Sequence, residues 1–208
     1  PDGQTGANID DSRGRPLLFE SDEAVDLTVA LWEALAQRYR AETTIVGYDL
    51  LNEPVAHIFD KERYNPRLLE LYERLVPAIR AIDPHHTIFL GGAQWNTNLA
   101  MLGAPIAPNL VYTFHTYWDP PQQSSIQRFL DVRDRYDVPL YLGESGENTD
   151  EWIGDFRRLL ERQNIGWAFW PYKKLSKSSC FTTITPPDGW ADIVAYTETP
   201  RGDYDQIR

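Results

Sequence analysis

The sequence holds one cysteine, Cys180, and one methionine among 208 residues. A lone thiol closes no internal disulfide and has no partner at zinc-ligand spacing, which excludes a disulfide-stapled scaffold and a cysteine-based metal site. Histidine is scarce as well, at four. No His, Cys or Asp cluster has ligand spacing, so neither a catalytic metal nor another cofactor is expected. Positive charge is in short supply: 20 Lys and Arg face 31 Asp and Glu, a net charge of -11, with no basic run. That field repels a phosphate backbone, and no nucleic-acid partner is expected. No apolar run approaches the roughly 20 residues that cross a bilayer, so no membrane partner is expected. Pro1-Asp2-Gly3-Gln4 lacks the basic and then apolar pattern of an export signal.

What the chain has is aromatic surface. Seven Trp and eleven Tyr exceed what a core alone needs and suit a cleft that stacks flat ligands such as sugars. Its length suits one domain, taken as residues 1–208. A polar opening, residues 1–16, leads to Ser21, which can cap a helix with Val25, Val29, Trp32, Leu35, Ala36 and Tyr39 at three- and four-residue spacing. A second helix is expected from Asn65-Pro66, kinked at Pro77; helices over 125–136 and 148–163 follow, with a short one near 192–197 after a long loop. Five apolar strands alternate with them: 43–51, 87–90, 110–117, 139–144 and 165–170. Strands covered on both faces and separated by helices predict a parallel α/β sheet.

In such folds ligands gather at the carboxyl ends of the strands, so the strand ends carry the chemistry. One ends in Asp49-Leu50-Leu51-Asn52-Glu53-Pro54 and another in Leu142-Gly143-Glu144-Ser145-Gly146-Glu147. Between them a third ends in His115-Thr116-Tyr117-Trp118, with His115 and Tyr117 on one face, and the last ends in Trp167-Ala168-Phe169-Trp170-Pro171. Two Glu facing each other across a barrel mouth suit glycoside hydrolysis. One protonates the leaving oxygen, and the other attacks the anomeric carbon from roughly 5 to 5.5 Å away in a retaining enzyme. Asn52, His115 and Tyr117 are donors that hold such a nucleophile ionised.

Leu51-Asn52-Glu53-Pro54, His115-Thr116-Tyr117, Gly143-Glu144 and Trp170 together resemble glycoside hydrolase family 5, the cellulase-type retaining enzymes. The resemblance implies a (β/α)8 TIM barrel whose strands 4 to 8 are present and whose first three βα units are absent. Glu53 would be the acid/base, Glu144 the nucleophile, and Asn52 the donor to the sugar's 2-hydroxyl. His115 and Tyr117 would orient the pair, and Trp170 would be the sugar platform, followed by a cis peptide to Pro171. The implied partner is an oligo- or polysaccharide with β-linkages, met outside the cell or in a periplasm, together with the missing N-terminal part of the barrel. Which glycan is cut stays open.

Other readings compete at several positions. Trp95, Trp118 and Phe59 follow strand ends and could line sugar subsites or pack loops, whereas Trp32 and Trp152 belong to helix packing. Glu147 rivals Glu144 but lies three residues past the strand. His85 and His86 precede a strand and belong to the opposite, stabilising end. Lys173 and Lys174 could reach sugar hydroxyls from the last loop, but the solvated reading leads. A carbohydrate-binding fragment without turnover remains the rival to the enzyme.

Overall fold

The computed structural model describes residues 5–6, 15–176 and 180–198; most of the polar opening and Ser178 and Ser179 of the long loop lie outside them. Five strands form one parallel sheet in chain order: β1 (Gly47–Asp49), β2 (Thr87–Gly91), β3 (Leu110–His115), β4 (Leu140–Glu144) and β5 (Gly166–Trp167). The helices are α1 (Asp22–Tyr39), α2 (Lys61–Ile82), α3 (Gln123–Tyr136), α4 (Asp150–Arg162) and α5 (Trp190–Glu198). The result is an α/β half-barrel, an open arc with β1 and β5 as its edges.

Strand alternation decides which side chains go where. Tyr48, Ile88, Leu90, Tyr112, Phe114, Leu140 and Leu142 point outward and are buried with the apolar stripes of the helices, among them Leu68, Leu75 and Ile79 of α2, Phe129 of α3 and Phe156 of α4. Asp49, Phe89, Val111 and Tyr141 point inward, and none of them is fully buried. The concave face is therefore the less covered one.

Caps set the helix starts. Ser21 accepts from the Ala24 amide (3.2 Å) and Thr149 from the Trp152 amide (3.2 Å). The second helix departs from the sequence reading. Asp60 caps it by accepting from the amides of Glu62 and Arg63 at 3.0 and 3.3 Å, so it begins a turn before Asn65 and runs as one element through Pro66 and Pro77. The cap and the buried stripe outweigh the two missing ladder bonds. The stripe of α1 is also covered less than its periodicity implies. Ala36 is its one fully buried residue, because α1 precedes the edge strand and packs mainly on α2.

The edge strands are shorter than their apolar runs. β1 starts at Gly47 rather than at Thr43, and β5 stops at Trp167 rather than at Trp170, because each has a ladder partner on one side only. β3 likewise stops at His115, leaving Tyr117 in the following loop. The stretch after Trp170, expected as a loop, contains a small parallel pair, β6 (Lys173–Leu175) with β7 (Thr182–Ile184), and the terminal helix is longer than expected.

Candidate active site

The carboxyl ends of the five strands open into one cleft of about 760 Å³. Asn52, Glu53, Trp95, His115, Tyr117, Trp118, Glu144 and Trp170 all line it, so these eight strand-end residues converge there. Phe59 does not; it packs edge-on against Tyr64 with ring centroids 5.9 Å apart.

Local geometry explains how the centre assembles. Between Phe114 and His115 the β3–β4 register shifts by one residue, which sets His115 opposite Glu144. Such irregularities re-aim side chains at barrel rims. Gly143 leaves the space: a Cβ there would lie 2.5 Å from the Thr113 hydroxyl and 3.0 Å from Nε2 of His115. The buried His115 ring then places Nδ1 2.9 Å from Oε1 of Glu53 and 3.7 Å from Oε2 of Glu144. One oxygen of each Glu and one nitrogen of His115 lie within 4.8 Å of one another. The Tyr117 hydroxyl donates to Oε2 of Glu144 at 3.0 Å. Burial, and then the charge of Glu144, push the Tyr117 phenol well above its ordinary value, so it stays a donor at any ordinary pH. Three convergent ligand atoms are also what a cation needs, but here they are engaged in hydrogen bonds within a carboxylate pair.

The indoles frame this centre. Trp170, three residues past the end of β5, is 53% exposed and its peptide bond to Pro171 is cis. Trp118, at 68%, stands beside Tyr117 with centroids 5.4 Å apart. Trp95 lies against His57, in the loop that follows Glu53, with ring centroids 5.0 Å apart. Trp152 belongs to packing: it stacks on Phe156 at 4.7 Å and donates its indole N–H to the Asp119 carbonyl at 2.8 Å.

Several residues in or next to the cleft escaped the sequence reading. Lys174 is not merely solvated; its ammonium pairs with Glu147, holding that carboxylate at the rim. Asp49 shares the inner face with the pair. Crowding around its carboxyl pushes it up to about 6, with His115 pulling it down and Glu144 adding to the rise; its contact with solvent moderates the effect. Its signal was the two-residue alternation, since Tyr48 and Leu50 are the buried partners. Arg128, Thr97 and Asp119 line the cleft from a helix and loops, where no periodicity marks them.

The sequence pattern of the cellulase family, glycosyl hydrolase family 5, matches residues 14–176. A β-xylosidase of Phanerodontia chrysosporium is 38% identical over 101 residues, which is 48% of this chain and 20% of that protein. Endoglucanase C of Acetivibrio thermocellus is 27% identical over 76% of this chain and 62% of its own length. The chain thus spans less than two thirds of either relative. Among solved structures, endoglucanase Cel5A of the hyperthermophile Thermotoga maritima superposes with a TM-score of 0.63 at 24% identity, covering 82% of this chain and 69% of that one.

Proposed function

Because the chain belongs to glycosyl hydrolase family 5, the cellulase family, we propose that it is the strand 4 to 8 part of a TIM-barrel catalytic domain that cleaves β-linked glycans with retention. One observation carries the reading: two carboxylates with oxygens within 4.8 Å, joined through His115, at the strand ends of an indole-lined cleft. Inverting pairs stand roughly 6.5 to 9.5 Å apart to admit a water, and retaining pairs roughly 5 to 5.5 Å.

Glu144 attacks the anomeric carbon while Glu53, protonated, gives its proton to the leaving glycosidic oxygen. The C–O bond breaks and a glycosyl ester forms on Glu144. Glu53, now a carboxylate, takes a proton from water as that water's oxygen attacks the anomeric carbon and the bond from that carbon to Glu144 breaks, which frees the Glu144 carboxylate. The Tyr117 hydroxyl holds Oε2 of Glu144 and so orients that carboxylate toward the sugar. His115 lies between the two and orients Glu53. Endoglucanases among the relatives favour a β-1,4-glucan, met outside the cell. The other three βα units would stand along the free edges of β1 and β5.

A 2-deoxy-2-fluoro glucoside with an activated leaving group tests the assignment. Mass spectrometry of the peptides should find the sugar esterified to Glu144. Labelling of Glu147, or sugar binding without label or product, would overturn it, the second outcome in favour of a carbohydrate-binding fragment.

A further inference from the structure

The loop after β2 is built from costly backbone. Gln94, Trp95 and Asn96 are consecutive non-glycine residues with φ of 54°, 60° and 56°. Left-handed backbone is unfavourable for L-residues and persists in a run only where the surroundings over-determine it, which happens mostly at functional sites. The turn folds back so tightly that a Cβ on Gly91 would lie 2.4 Å from Oδ1 of Asn96.

Gln94 is what over-determines it. Its side chain is 1% exposed and bridges two elements: Nε2 donates to Oδ1 of Asn65 on α2 at 2.9 Å, and Oε1 accepts from Nδ2 of Asn98 at 2.9 Å. Its backbone N–H donates to the Val55 carbonyl at 2.7 Å. Val55 is itself left-handed, two residues past Glu53, which is left-handed too. The Gln94 backbone thus joins the turn that carries Trp95 to the loop that carries Glu53, its side chain anchors that turn to α2, and the indole reaches the cleft 37% exposed, edge-on to the His57 ring at 5.0 Å.

We infer that Gln94 is a positioning residue: through Asn65 and Asn98 it fixes Trp95 as a stacking platform for the sugar on the leaving-group side, next to Glu53. The side follows from topology. Trp95 follows β2, the strand next to the one that leads to Glu53, whereas Trp170 follows β5, beyond Glu144. A platform beside the proton donor holds the sugar whose oxygen receives the proton. This assignment of a subsite rests on the glycosidase reading.

The test compares Gln94→Ala, Asn65→Ala, Gln94→Glu and Trp95→Ala in the full chain. The indole N–H resonance of Trp95, identified by its loss in Trp95→Ala, should shift or broaden in Gln94→Ala and Asn65→Ala. It should recover in Gln94→Glu, whose oxygens still accept from both asparagine amides. Cellotetraose affinity, measured by calorimetry in a Glu144→Gln background that prevents hydrolysis, should fall roughly tenfold in Gln94→Ala, as expected for a lost sugar–aromatic contact. Trp95→Ala should lose as much, and the double variant no more than either. Asn65→Ala, at the accessible end of the network, keeps the test open if Gln94→Ala does not fold. An unmoved indole line, or additive losses, would overturn the inference. Parent protein that binds no cellotetraose would instead remove the glycan reading, leaving the indole line to decide the positioning.

Discussion

Each end of the sheet carries a histidine against a carboxylate, and the two pairs have opposite designs. At the amino-terminal end, Asp83 is fully buried and all its capacity is used: it accepts from the Tyr48 hydroxyl (2.7 Å), from the amides of His85 and His86 (3.0 and 3.1 Å) and from Nδ1 of His86 (2.6 Å). Burial alone would raise the Asp83 carboxyl, but those bonds outweigh it and hold it at about 2. Arg80 closes the cluster by donating to the carbonyls of His86 and Asn109. At the carboxyl end, Glu53 and Glu144 each keep about a quarter of their side chain exposed, and their buried partner His115 faces a cleft instead of a plug. The same chemical pair is a fastener where it is sealed in the core and, in the proposed function, a reactive centre where it faces a cleft.

The comparison breaks most visibly at Glu144. Glu144→Ala should lower turnover on the order of 10⁴- to 10⁶-fold, because in the proposed mechanism Glu144 carries the covalent intermediate. It should leave the urea midpoint nearly unchanged, because a partly exposed strand-end carboxylate supplies little packing. Glu147→Ala, which removes the rim ion pair with Lys174, should keep most activity. Steady-state kinetics on an aryl β-glycoside decide it, and an interchange of the two phenotypes would falsify the assignment.

The opposite end should respond the other way. Asp83→Ala strands the Tyr48 hydroxyl, two amides and an imidazole in the core, and breaking such a buried pair costs about 3 kcal/mol. Urea unfolding should show that loss while turnover per folded molecule holds. If Asp83→Ala reduced kcat without loss of stability, the two ends would not be divided as described.

The legibility of the sequence follows the same division. Both catalytic candidates, the intervening histidine and the three cleft indoles could be placed because each sits on or just past a strand end, where a two-residue period and a turn signal fix position. The outward core was readable for the same reason. Gln94 was not, because its role lies in three left-handed residues and in an amide pairing with Asn65, 29 residues away. Lys174 was read as solvated because nothing local shows that Glu147 comes to meet it. Strand lengths failed at both edges for a cooperative reason: Thr43 to Val46 have strand composition, but a strand extends only as far as its neighbour offers hydrogen bonds, and β2 offers them from Thr87 onward. The start of α2 failed on a local competition. Asp60 is as good a cap as Asn65, and Pro66 is tolerated inside a helix whose buried face extends to Ile79.

The smallest effect sharpens the contrast through pH. Nδ1 of His86 faces the Asp83 carboxylate and Nε2 faces the Glu42 carbonyl at 3.0 Å, so both ring nitrogens meet acceptors and the doubly protonated ring fits the site. Burial works against that charge, but the Glu42 carbonyl and Asp83 prevail, and the net shift of His86 is upward. A histidine raised on folding contributes stability that is fully present below its unfolded value, near 6.5, and is lost as pH rises through its folded value. Asp83, lowered on folding, contributes above its unfolded value of about 3.9 and loses that as pH falls through about 2. The pair therefore stabilises most between about pH 4 and 6.5. Urea unfolding at pH 5.5 and 8.5 should find the protein weaker at the higher pH, by less than the Asp83→Ala loss. His86→Gln, which cannot titrate, should remove most of that difference while the pH profile of kcat keeps its shape. A His86→Gln protein with the parent's full loss of stability between the two pH values would show that the imidazolium is not what the amino-terminal cluster holds.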